Sequence, residues 1–204
     1  MDEVVVRRRA DGATELRVNG VFVMDDVETS SERLLADHVL RSGAREVLVG
    51  GLGLGYTARA LIDGGATRVL VAELHPEVVQ AVADGAGAGP IDDPRLEVVV
   101  DDVAEVVRTL PADGLDAICL DVDNGPDFLV HPGNAAIYGP EFIAGCVAAL
   151  RPGGVLAVWS MADSRTLRGT FAEHLHDVTG TAVPVTLQGR DETYWILSGR
   201  LPHR

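Results

Sequence analysis

The sequence predicts an α/β fold, a mostly parallel sheet with helices on both faces. Three observations carry that prediction. From residue 46 onward short apolar runs alternate with segments of helical period, and such strand–helix units need crossover connections. The first run, Val47-Leu48-Val49, is continuously apolar, as in a strand buried on both faces. A glycine-rich turn, Gly50 to Gly55, then leads from that run into a helix.

The elements follow in order. Val4-Val5-Val6 seeds a strand, Ala10 to Ala13 turns, and Glu15 to Val18 alternates polar and apolar. Asn19-Gly20 is a strong hairpin signal, because both residues tolerate positive φ, and Val21 to Met24 leaves it as a strand. Residues 1–28 are therefore expected to form a short N-terminal β-hairpin extension, and 29–204 a single main domain. Thr29-Ser30-Ser31-Glu32 has the spacing of a capping box, and Leu34, Leu35, His38 and Val39 continue at helical intervals until Gly43. Strands are expected at 47–49, 69–72, 96–100, 116–120 and 155–159. Helices are expected at 56–62, 76–83, 103–110, 138–150 and 166–176, with a turn at Arg151 to Gly154. Val183 to Leu187 and Tyr194 to Ser198 lie too close together for a helical crossover, so they must pair antiparallel.

Composition narrows the function. The chain has 204 residues, 17 basic and 31 acidic side chains and a formal net charge of −14. Such a chain repels phosphate backbones, so a nucleic-acid substrate is disfavoured, and the one dense basic run is Arg7-Arg8-Arg9. With 47% hydrophobic but only 4% aromatic residues, Val, Ala and Leu must build the core. Cys119 and Cys146 lie in apolar stretches and read as small buried hydrophobes. There is no disulfide framework and no zinc-ligand spacing, so no metal is expected. No stretch reaches the roughly 18 apolar residues of a membrane span, and the opening MDEVVVRRR lacks an apolar leader. A cytoplasmic protein is expected, with no membrane partner.

Acidic residues and glycines gather at the ends of consecutive strands. Gly51, Gly53 and Gly55 allow close backbone approach, and the helix that follows offers free N–H groups. Glu73 ends the second strand about 20 residues on, where a carboxylate can accept ribose hydroxyls. Asp101 and Asp102 end the third strand, and Asp121 and Asp123 the fourth. In open α/β sheets ligands bind at this edge. A pyrophosphate suits so many carboxylates poorly, and the spacing here is G-x-G-x-G where a dinucleotide site has G-x-G-x-x-G. S-adenosylmethionine, whose sulfonium tolerates acid and which carries no phosphate, fits better. Its amino acid end would meet the helix N-terminus, its ribose Glu73 and its adenine Asp102.

These features, with the antiparallel last strands, point to a Rossmann-like class I methyltransferase fold, a mostly parallel seven-stranded sheet with an antiparallel last strand. Within it, the chain from about Leu16 to Ser160 resembles the spermidine synthase family. The resemblance rests on Val18 to Val23 with Ser31-Glu32-Arg33, on Val47 to Gly55, on Val71-Ala72-Glu73-Leu74-His75-Pro76-Glu77-Val78-Val79 and on Asp93 to Asp102. Leu150 to Leu156 carries the turn of the wider methyltransferase fold. The resemblance implies S-adenosylmethionine or its decarboxylated form as donor, a homodimer, and Asp121 as the group that deprotonates the attacking amine.

Two departures steer the reading of the chemistry. The family's glycine loop usually reads G-G-G-D-G-G, and its Asp position is assigned here to Leu54. The catalytic D-S-S-D-P becomes Asp121-Val122-Asp123-Asn124-Gly125, so the second Asp is Asn124. A dicationic acceptor would lose two carboxylate partners, and methyl transfer to a small-molecule acceptor is the expectation, with aminopropyl transfer as the alternative and a non-catalytic S-adenosylmethionine-binding protein as a further one. Asp121, Asp123 and His131 are the candidate catalytic groups, and Asn134 and Tyr138 the candidate acceptor contacts. Trp159 reads as a pocket wall or core.

Overall fold

The computed structural model describes residues 2–203 except 91, 123, 130, 131 and 188. The N-terminal extension is a three-stranded antiparallel sheet, built from the three strand segments the sequence predicts. Its strands are β1 (Val4–Arg8), β2 (Thr14–Val18) and β3 (Val21–Asp25). Asn19 and Gly20 take φ of 52° and 76° and close Val18 onto Val21, as the Asn-Gly pair predicts. The arginine run has a local task. Arg7 and Arg17 reach the buried Glu15 at 2.9 and 2.6 Å, and Arg9 reaches the buried Asp25 at 2.7 Å.

Helix α1 (Ser30–Arg41) begins where expected but without the capping box. Thr29 makes no side-chain cap, and Glu28 instead accepts the Ser30 N–H at 2.8 Å. Glu32 is thereby released from the helix end, and its side chain is buried. Gly43, at φ 92°, ends the helix.

The main sheet has seven strands: β4 (Glu46–Gly50), β5 (Arg68–Glu73), β6 (Leu96–Val100), β7 (Leu115–Leu120), β8 (Leu150–Ser160), β9 (His176–Leu187) and β10 (Arg190–Arg200). They lie in the order β6-β5-β4-β7-β8-β10-β9. The last strand, β10, is antiparallel to both neighbours and inserts between β8 and β9. The two final strands run 12 and 11 residues, well beyond the apolar segments that announce them. Their outer parts are polar and exposed and are held by pairing with each other, which leaves no apolar signature. Arg151 to Gly154, expected as a turn, lies within strand β8, where pairing with β7 shifts register from Leu115–Leu150 to Ala117–Val155.

The crossover helices are α2 (Tyr56–Asp63), α3 (Pro76–Ala83), α4 (Val103–Thr109), α5 (Pro140–Ala149) and α6 (Arg165–Ala172). The helix expected from Tyr138 starts at Pro140, because proline is suited to a first turn, and Pro132–Tyr138 is a 3-10 segment before it. Helix α6 stops short of His176, which belongs to β9.

Two apolar layers enclose the sheet. One joins α1, α2, α3 and the N-terminal sheet through Leu35, Val39, Leu61, Val78 and Leu16. The other joins α4, α5 and α6 through Val107, Ile143 and Phe171. Cys119 lies in the first layer and Cys146 in the second, both buried. Burial pushes the Cys146 thiol up to about 12, so neither cysteine is a reactive thiolate. No helix of the described residues is long and apolar enough to cross a membrane.

Register places the site. Gly50 pairs with Ala72 on one side and Leu120 on the other, and Glu73 pairs with Val100. The residues that follow these pairs, Gly51, Asp121 and Asp101, therefore end at one sheet edge. That edge includes the point between β4 and β7 where strand order reverses, the place where such sheets bind ligands.

Candidate functional site

A cleft of about 1040 Å³, its opening to solvent included, lies over this edge. Its floor is the glycine turn and the strand ends. Gly51 sits at φ 87°, and a Cβ there would fall 2.2 Å from the Asp121 carbonyl oxygen. A glycine is thus required by backbone conformation and by space together. Gly53 (φ 52°) also borders the cleft, and a Cβ on it would meet the Met24 sulfur at 2.8 Å. Gly55, at φ 85°, is the residue from which α2 springs, and it stands behind the cleft wall.

The structure revises one assignment in this turn. Leu54 is fully buried in the first apolar layer, and its carbonyl accepts the Ala88 N–H at 2.9 Å. Its neighbour Gly53, with Gly51, borders the cleft instead. The apolar character of Leu54 therefore reports on core packing and not on the ligand. The positive φ of the flanking Gly53 and Gly55 turns Leu54 inward, which spacing alone does not reveal.

Glu73 is buried, and each oxygen is held by backbone. Oε2 accepts the Leu52 N–H at 2.8 Å and Oε1 the His75 N–H at 2.9 Å. A carboxylate has about four acceptor sites, so each oxygen keeps capacity to face the cleft. His75 adds a second layer of support. Its Nδ1 lies 3.3 Å from Glu73 and its Nε2 3.2 Å from Asp2. The bond to Glu73 is the main cause, with that to Asp2, that pushes the imidazole up to about 8. Asp101 and Asp102 line the cleft and are exposed. Asp102 also caps α4, accepting the Ala104 N–H at 2.8 Å.

Asp121 is half-buried at the centre of the cleft, and its Oδ2 accepts the Thr57 hydroxyl at 2.7 Å. Glu32 reaches the same cleft from α1, where its Oε2 accepts the Ser31 hydroxyl at 2.7 Å. Burial raises both carboxyl groups, and the Asp121 charge raises Glu32 further, whereas the Ser31 and Thr57 bonds oppose the rise. The two titrate as a pair, in steps that belong to neither residue alone.

A second cavity of about 500 Å³ adjoins the first. Val23, Met24, Glu32, Asn124 and Trp159 are walls of both. Its far side holds Phe22, Glu28, Met161 and Tyr194. Trp159 and Tyr194 stack edge to face at 4.7 Å, and burial, then Glu32, pushes the Tyr194 hydroxyl up to about 12.

Of the sequence candidates, Gly51, Gly53, Glu73, Asp101, Asp102, Asp121 and Asn134 all border the first cleft. Tyr138 does not. It is buried in the second apolar layer at the end of the 3-10 segment. Asp123 and His131 lie outside the described residues. Glu32, Thr57 and Met24 were not anticipated. The Ser31-Glu32 spacing was legible but read as a cap, and nothing local marks Thr57 or Met24.

The arrangement matches a known architecture. A solved spermidine synthase in complex with the transition-state analogue AdoDATO superimposes with a TM-score of 0.80. That match covers 98% of this chain and 70% of the other at 18% identity. The spermidine synthase of Thermotoga maritima gives a TM-score of 0.77, covering 98% and 69% at 17% identity. The fold is spermidine synthase-like. Homologues agree with it: over 163 residues the chain is 35% identical to the polyamine aminopropyltransferase of Mycobacterium tuberculosis, covering 76% of this chain and 30% of that protein. A protein of the same name from Corynebacterium efficiens is 31% identical over 169 residues, 78% of this chain and 31% of its own. The chain thus spans under a third of the length of the curated relatives it matches. No family model matches.

These likenesses correct the expectation of methyl transfer, since the homologues are named for aminopropyl transfer. Counting the carboxylates missing at Leu54 and Asn124 did not decide between the two transfers: Leu54 packs in the core, Gly53 beside it carries no side chain, and an acid that spacing does not reveal, Glu32, reaches the cleft from α1.

Proposed function

We propose that the chain carries out aminopropyl transfer from decarboxylated S-adenosylmethionine to a small amine. The observation that carries the reading is Asp121, a carboxylate raised by burial, bonded by Thr57, and lining the same cleft as Glu73 and the glycine turn.

The residues suit that donor. Gly51 leaves the space a close-lying ligand needs, Glu73 offers lone pairs to ribose hydroxyls, and Asp101 and Asp102 stand on the adenine side. Gly53 and Gly55 shape the turn that exposes backbone N–H groups. The donor supplies an electrophilic carbon on a sulfonium leaving group. Asp121 takes the proton shed by the amine as the new C–N bond forms and the C–S bond breaks, its electron pair returning to sulfur. A raised pKa makes this carboxylate a better proton acceptor than an ordinary one. Asn134 orients the acceptor. The cleft accounts for the rest of the rate by holding the two reactants in line. Residues 1–28 act as an extension that walls the cleft, and 29–204 as the catalytic domain.

We place the enzyme in the cytoplasm and as a homodimer. Val21, Val27 and Leu34 are exposed apolar side chains near the N-terminus, and light scattering checks the homodimer.

The test is direct. The purified chain is mixed with decarboxylated S-adenosylmethionine and 1,4-diaminobutane, and products are followed by mass spectrometry. Aminopropylated diamine and 5′-methylthioadenosine are expected in equal amounts. Their absence, with the donor bound, would overturn the reading.

A further inference from the structure

We infer that Glu32, on α1, binds the ammonium end of the acceptor and supplies the negative charge that Asn124 does not. The inference rests on the aminopropyl-transfer reading and extends it to a residue outside the strand-end set.

Position comes first. Glu32 walls both cavities, so it stands where a ligand in the second would meet one in the first. Asn124 is a wall of both as well, so a carboxylate and a neutral amide share the junction.

Charge comes second. Among the described residues that wall the two cavities there is no arginine or lysine, and the sequence contains no lysine at all. The basic side chain present, His75, is engaged by Glu73 and Asp2. The other acids of the second cavity already have donors. Asp25 is bound by Arg9 at 2.7 Å, and Glu28 accepts the Ser30 N–H at 2.8 Å. Glu32 is 8% exposed, faces Asp121, and is held by a neutral hydroxyl. A buried carboxylate beside another is costly without a cation, and the described residues that wall the two cavities bring none to Glu32. A cationic ligand relieves that cost.

Surroundings come third. The Trp159 and Tyr194 rings and Phe22 line the second cavity, and aromatic faces attract ammonium groups. Trp159 is itself 8% exposed, and its Nε1 has no acceptor among the described residues. Buried indole N–H groups normally have one, so this wall is incomplete as it stands.

The experiment compares wild type, Glu32→Gln, Asn124→Asp and the double variant. Calorimetry measures 1,4-diaminobutane binding to each protein loaded with 5′-methylthioadenosine, and decarboxylated S-adenosylmethionine binding separately. Glu32→Gln is expected to weaken diamine binding about tenfold or more, with donor affinity within about twofold. The double variant should recover most of the loss, because it returns one carboxylate to the junction. Asn124→Asp alone should tighten diamine binding severalfold, and it decides the question if the amide variant fails to fold. Unchanged diamine binding in Glu32→Gln, an equal loss of donor affinity, or no tightening in Asn124→Asp would overturn the inference, as would no diamine binding by wild type. Diamine binding without product formation would instead remove the aminopropyl-transfer reading, while the variant series still reports on Glu32.

Discussion

The two halves of the cleft are built on opposite principles. In the half proposed for the donor, every described acid has a fixed hydrogen-bond partner: Glu73 has the Leu52 and His75 amides, Asp101 the Asp102 amide, and Asp102 the Ala104 amide. In the half proposed for the acceptor, Asp121 and Glu32 face each other, with the side-chain hydroxyls of Thr57 and Ser31 as donors among the described residues. The first half is complete before any ligand arrives. The second keeps unbalanced charge for one. The difference teaches where binding and where chemistry are spent. Backbone-held carboxylates fix a geometry, and burial holds a proton acceptor above its ordinary pKa.

The predictions break or sharpen that contrast. The largest effect is expected in the acceptor half. Asp121→Asn should lower kcat by about 10² to 10⁴, the range for a lost proton acceptor, measured by steady-state kinetics at saturating substrates. A loss confined to KM would place Asp121 with the binding groups instead.

Next comes the rigid half. Gly51→Ala puts a methyl 2.2 Å from the Asp121 carbonyl at a φ that L residues avoid. It should cost about 1–3 kcal/mol of stability and weaken donor binding, read by thermal melts and calorimetry. An unchanged melt would show that the turn is more yielding than its packing indicates.

A smaller effect separates the halves by sign. Carboxyl groups raised in the folded state bind protons there that the unfolded chain has released. They contribute stability at low pH that is lost as pH rises through the folded pKa. Glu32 is such a group. Glu32→Gln should therefore raise Tm at pH 8 relative to wild type, by about 2–4 °C for each kcal/mol relieved, and much less at pH 4. A lower Tm at pH 8 would mean that Glu32 is a structural acid like Glu15.

The smallest effect lies at the edge of the donor half. His75, raised to about 8, contributes stability that is full below its ordinary 6.5 and is lost as pH climbs through 8. His75→Gln should lower Tm by about a degree or two at pH 6 and leave it unchanged at pH 9. Equal losses at both values would assign the effect to packing.

How much was legible follows the same line. Gly51, Glu73, Asp102 and Asp121 could be found by reading along the chain, because each closes a strand and strand ends share an edge in a parallel sheet. Leu54 misled, because its direction depends on the backbone sign at Gly53 and Gly55. Tyr138 misled, because a 3-10 segment turns it into the core. Glu32 was visible only as a capping residue, since its partner is 89 positions away in the sequence and in contact only after α1 packs beside β7.

By itself the sequence determined the alternation of strands and helices, the Asn-Gly hairpin, the glycine turn and the acids that end the strands. Those are local matters of period, backbone freedom and position on a strand. Only the tertiary structure decided that β10 inserts between β8 and β9, that Met24 closes over Gly53, and that Glu32 meets Asp121. Each joins segments whose own residues carry no record of the other: β10 is placed by backbone pairing with β8 and β9, and Met24 and Glu32 by packing of the N-terminal sheet and α1 against the first apolar layer.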